Sequence, residues 1–200
     1  MFIVVAGLIL GILASGDAGE PVGKCRNSDF DLESPTSVGL RDVVTDPALA
    51  AQFQQRWDAF EAQLDAGSPA SVTFEEGELT SRVSQWVDDT DASLKDVTIC
   101  IYDGKADARA TAEIPYLAAV PFVGSVYETT VRVLGRIDLS GEHPEITTIE
   151  LDAGDIPAWA VDPIQDDLEE IVNDRLADYD IEHDYTVTYR EGQLEISGQP

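Results

Sequence analysis

Lysine is scarce in this 200-residue sequence: Lys24, Lys95 and Lys105 are the only three, and all bases together number 12 against 39 Asp+Glu. The formal net charge of −27 repels phosphate. At ordinary ionic strength that excludes non-specific nucleic-acid binding and charge-driven adhesion to anionic membranes. Cys25 and Cys100 are the only cysteines, and His143 and His183 the only histidines, too far apart in sequence for a zinc motif. No P-loop, dinucleotide glycine fingerprint, HExxH or EF-hand loop occurs, and the acids around Gly154 (Asp152, Asp155, Asp162) match no calcium loop. Carboxylates are so numerous that two close together carry no weight as a catalytic pair. The sequence therefore points to a non-enzymatic protein, with no cofactor and no metal site expected. What it does have is 44% hydrophobic residues, enough for a core and too many for a disordered acidic tail.

The longest apolar runs are short. Phe2 to Ala14 is uncharged, ends at Ser15-Gly16-Asp17, and falls below the roughly 20 residues that span a bilayer as a helix. It fits the hydrophobic region of a signal peptide, cleaved or retained as an N-terminal anchor, although no base precedes it. Residues 1–16 are read in that way, so the expected location is extracytoplasmic, exported or anchored at the outer face of the cytoplasmic membrane. Membrane contact is expected only through this segment. In an oxidising compartment Cys25 and Cys100 are candidates for a disulfide, worth roughly 3–4 kcal/mol for so long a loop; burial of Cys100 as a small apolar residue is the alternative.

Residues 17–45 lack periodicity and read as a linker or irregular arm, followed by a single domain over 46–200. Asp46-Pro47 opens a helix as N-cap and first residue; Leu49, Phe53, Trp57, Phe60 and Leu64 form its stripe and Gly67 stops it. A second helix follows Thr73, whose capping box is Thr73 with Glu76 and whose apolar face is Leu79, Val83, Trp86 and Val87. Val97 to Tyr102 alternates as a strand, Asp103-Gly104 turns it, and Lys105 to Ile114 returns with alanines on one face. Tyr127 to Leu139, Glu145 to Leu151 and a closing hairpin around Glu191-Gly192 add strands. Asp162-Pro163 begins a last helix carrying Ile164, Leu168, Ile171, Val172, Leu176 and Tyr179. This order predicts an α+β fold: a curved, mainly antiparallel sheet packed on a long C-terminal helix, with two further helices N-terminal to the sheet.

The uncharged stretch Ile114 to Tyr127 contains two prolines and a glycine, so it is not one regular element. Buried, it is a strand pair or a bent crossover; exposed, Tyr116, Leu117, Val120 and Phe122 form an apolar patch of the kind that marks a partner, membrane or ligand entrance, an envelope protein being the partner expected.

Several segments, in order, resemble bacterial envelope proteins with a tubular lipid-binding (TULIP-like) half-barrel, LmeA-like phospholipid-binding proteins among them. They are Val72 to Thr80, Val97 to Lys105, the long strand to Leu139, Ile149 to Pro157 ahead of Ile171-Val172-Asn173, and Val187 to Gly198. The resemblance covers about residues 70 to 198 and rests on turns and caps; the heavy acidity departs from it. It implies a lipid or another apolar small molecule in a groove between sheet and helix. Ala106, Ala108, Ala110, Val131, Val133, Ile137, Leu168, Ile171 and Val172 would line that groove. The same residues are what a closed core requires, so the alternative is an exported structural or protein-interaction domain with a dry core and no ligand. The acid-rich, lysine-poor balance also suits a halophilic habitat, where salt screens repulsion within a few ångströms.

Overall fold

The computed structural model describes residues 23–26, 40–89, 94–113, 128–141, 143–152, 173 and 181–200. Asp46 caps the first helix, α1 (Pro47–Asp65), its side chain accepting a hydrogen bond from the amide of Ala48 at 2.7 Å. Ala50, Phe53, Trp57, Phe60 and Leu64 are its buried face, at the three- and four-residue spacing of a helix with one side against a core. Leu49, the first residue of the expected stripe, is only half-buried, and Ala50 takes the packed position instead. Gly67, at φ +78°, ends the helix with its amide on the carbonyl of Leu64.

The chain continues as β3 (Ala70–Glu75) and α2 (Glu76–Asp89). The strand runs to Glu75, so the expected box of Thr73 with Glu76 does not form. Its counterpart lies two residues on: the Glu78 carboxylate accepts from the amide of Glu75 at 2.9 Å. Leu79, Val83 and Val87 are buried as the helical spacing predicts, and Trp86 packs half-buried against the same cluster.

Strands β4 (Leu94–Tyr102), β5 (Lys105–Glu113), β6 (Glu128–Asp138) and β7 (Glu145–Asp152) form an antiparallel sheet in sequence order. Gly104, at φ +76°, makes the β4–β5 turn where Asp103-Gly104 predicts it. The closing hairpin, β8 (Asp184–Arg190) and β9 (Gln193–Gln199), pairs with β3 to give a separate sheet of order β3-β9-β8. A third, two-stranded ribbon of β1 (Lys24–Arg26) and β2 (Leu40–Asp42) lies within the stretch expected to be an irregular arm.

The described chain is therefore mainly β, which corrects the expected α+β architecture. Nine strands in three sheets accompany two helices, and among the described residues no C-terminal helix packs on a sheet. The expected final helix lies outside the described residues except for Asn173, which is helical. Two physical features explain the difference. The stretch at 70–75 is too short and polar to announce itself until β9 pairs with all six of its residues. Among the described residues, the helices that pack on the sheets are the N-terminal ones. The α1 stripe lies on the three-stranded sheet, close enough that a Cβ on Gly198 of β9 would stand 2.6 Å from Leu64 Cδ1. Helix α2 lies along the outer edge of β4.

Side chains cover the strand edges that would otherwise leave backbone groups open. At β4, Thr80 Oγ1 accepts from the amide of Ile99 at 3.0 Å and donates to its carbonyl at 3.4 Å, while Glu76 Oε1 accepts from the amide of Ile101 at 2.6 Å. Ile137 of β6 stands opposite Ile146 of β7. The amide of Ile137 donates to the Tyr189 hydroxyl at 2.6 Å, and the amide and carbonyl of Ile146 meet the Asn173 carboxamide at 2.8 and 3.1 Å. Asn173 thus does for β7 what a fifth strand would do.

Candidate functional site

Ala106, Ala108 and Ala110 lie on the inner face of β5, with Gly135, Val133 and Val131 as their cross-strand partners. The three alanines, Val133 and Ile137 are all buried and belong to one apolar cluster that also contains Leu79, Val83, Val87, Phe53, Trp57 and Phe60. These five groove candidates are therefore brought together as core. Of Val131 the structure describes the backbone pairing alone. Leu168, Ile171 and Val172, and the patch candidates Tyr116, Leu117, Val120 and Phe122, lie outside the described residues.

Cys25 and Cys100 form a disulfide with an S–S distance of 2.01 Å across a separation of 75 residues. Cys100 sits on the outer face of β4, opposite the side that carries Ile99 and Ile101 into the core. The bond therefore fixes the β1–β2 ribbon over the outside of the four-stranded sheet. Beneath the ribbon, Asp107 and Arg109 alternate with the alanines of β5 and are almost fully buried. Arg109 holds both carboxylate oxygens of Asp107, at 3.2 and 2.6 Å, and Arg132 of β6 adds a third contact at 3.0 Å. The Arg109 guanidinium also reaches the carbonyl of Lys24 in β1, at 3.5 Å. A buried carboxylate needs this many donors, because an uncompensated charge there costs several kcal/mol, about 3–5 when one partner is removed.

A cleft of about 370 Å³ opens between the ribbon, the start of α2 and the β8–β9 turn. Its centre is Arg41 of β2. Arg41 donates from Nε and Nη2 to the two oxygens of Glu76, from Nη1 to Glu191, and from Nη2 to the carbonyl of Ile101 at 3.3 Å. The guanidinium also stands 5.8 Å from the centre of the Tyr102 ring. The hydrogen bond to Glu76 pushes the Arg41 pKa further above its ordinary value, against the opposing effect of burial. Glu191 Oε2 is buried with no hydrogen-bond partner. The rest of the lining is Asp42, Val43, Val44, Leu49, Glu75, Gly77, Gly192 and Gln193, without a serine, cysteine, histidine or lysine. Chemically, the cleft holds a fixed cation clamped by acids.

None of this cleft was legible as a site in the sequence. Arg41 lies in the aperiodic arm, Glu76 reads as a cap and Glu191 as a turn residue; only the fold brings the three together. The one group of metal-ligating atoms found together among the described residues is Asp65, Glu182 and His183, with His183 Nε2 3.2 Å from Asp65. Its two carboxylates are exposed at the surface. His143 is half-buried after the turn that ends β6. No helix among the described residues is long and apolar enough to cross a membrane. Neither a protein-family model nor a curated protein matches the chain.

Proposed function

We propose that this chain is an exported, non-enzymatic interaction domain with a closed apolar core, acting outside the cytoplasm on a protein partner of the cell envelope. The observation that carries this reading is the burial of Ala106, Ala108, Ala110, Val133 and Ile137 in one continuous cluster with the α1 and α2 stripes. An acyl chain entering along β5 would have to displace packed side chains, and at about 0.8 kcal/mol per buried CH₂ it would gain no more than the core already has. The disulfide supports the compartment, since such bonds persist where the surroundings oxidise. The apolar stretch from Phe2 to Ala14 supports export.

The competing reading is a lipid carrier with its groove between sheet and helix. Organic extraction of the purified protein and titration with a fluorescent fatty acid decide between them. The proposed function predicts no acyl species in the extract and no saturable uptake. Stoichiometric recovery of phospholipid or fatty acid would establish the carrier instead.

A further inference from the structure

Cys25 and Arg41 are directly opposed in the register of the β1–β2 ribbon, so their side chains leave the same rung toward the body of the protein. One makes a covalent bond to Cys100. The other makes charged hydrogen bonds to Glu76 of α2 and Glu191 of the β8–β9 turn, and reaches the carbonyl of Ile101, the residue after Cys100. Both sulfur-bearing residues are 0% exposed. A reductant must meet a disulfide sulfur in line to exchange with it, so this bond is closed to attack while the ribbon lies flat.

We propose that Arg41 is the latch of a strap, and that the Cys25–Cys100 disulfide becomes reducible in the folded protein only when Arg41 leaves Glu76 and Glu191. The reaction is ordinary dithiol exchange. A thiolate of the dithiol attacks one sulfur of the bond and expels the other as thiolate, giving a mixed disulfide. The second thiol of the reductant then closes its own disulfide, leaving Cys25 and Cys100 as thiols, with two electrons and two protons supplied by the dithiol. Coupling is reciprocal by linkage: whatever the latch adds to the persistence of the disulfide, the disulfide adds to occupancy of the latch. Its consequence is a two-key strap over Asp107 and the β4 edge. The order is fixed: Arg41 lets go first, with the ribbon still tethered by sulfur, and only then can the dithiol reach the bond.

The test is the rate of thiol release from the full-length oxidised protein in dithiothreitol under native conditions, for wild type, Arg41→Met, Glu191→Gln and Val83→Ala. Val83→Ala weakens the core of α2 and serves as the control for reduction through global unfolding. The latch predicts that Arg41→Met and Glu191→Gln speed reduction by roughly tenfold to a hundredfold, as the loss of one or two charged hydrogen bonds would. Val83→Ala is expected to stay near the wild-type rate. An equal acceleration by Val83→Ala overturns the proposal, because the bond would then open only with the whole fold. A wild-type rate in Glu191→Gln overturns it too, whether or not Arg41→Met folds.

Discussion

Gly198 and Tyr189 show how much of this fold depends on single contacts. Gly198 has no side chain where Leu64 and Phe60 of α1 come down on β9, and a methyl group there would meet Leu64 carbons at 2.6 and 3.0 Å. Gly198→Ala should cost about 1–3 kcal/mol through overpacking, read from the urea midpoint at an unchanged slope. Tyr189 ties the two larger sheets together through its hydroxyl and the backbone of Ile137. Burial pushes its pKa up to about 12. The folded state therefore favours the neutral phenol. That contribution is fully present below the unfolded value near 10 and is lost as pH rises from about 10 through 12. Tyr185 is pushed up to about 12 as well, by burial and then by Glu61, Glu182 and Asp65. Phenolate absorbance followed against pH should show these two rings titrating last, together with loss of structure. Tyr189→Phe should remove one of the late steps, and an ordinary titration of all six tyrosines would contradict the assignment.

The ribbon, α1 and α2 are the described elements that pack against the two larger sheets. Removing both sulfurs in Cys25→Ser/Cys100→Ser should cost about 4 kcal/mol by the loop-closure argument, since the bond spans 75 residues. If instead the variant melts as wild type does, the unfolded chain already holds these segments near each other. Helix α1 was legible in the sequence, from the Asp46-Pro47 start to Gly67 and along its stripe except at Leu49, because cap, period and stop are all local signals. The Asp103-Gly104 hairpin was legible for the same reason. What could not be read was which elements would meet. Strand β3 is defined by a partner more than a hundred residues away, and the edge cover by Thr80, Glu76 and Asn173 uses polar side chains that look solvated in a linear pattern. Asp107 and Arg109 likewise read as the outer half of an alternating strand; a ribbon tethered by Cys25 buries them. Ala106, Ala108 and Ala110, on one face of β5, pack into the apolar cluster.

Across the whole molecule, a net charge of −27 opposes compaction at low salt. Screening shortens this repulsion from about 10 Å at 0.1 M to about 3 Å at 1 M salt. The melting temperature should therefore rise steadily with sodium chloride into the molar range, and a flat or falling curve would show that the buried ion pairs, rather than surface repulsion, set the salt response. The same charge limits the kinds of partner, since anionic surfaces are repelled unless salt is high. The proposed function makes this molecule a rigid exported domain that works through its surface. Native mass spectrometry of the purified oxidised protein tests this most directly. The account predicts a single polypeptide mass with the disulfide intact and nothing bound, before and after incubation with phospholipid vesicles. A stoichiometric adduct that leaves on activation as an intact lipid would contradict it.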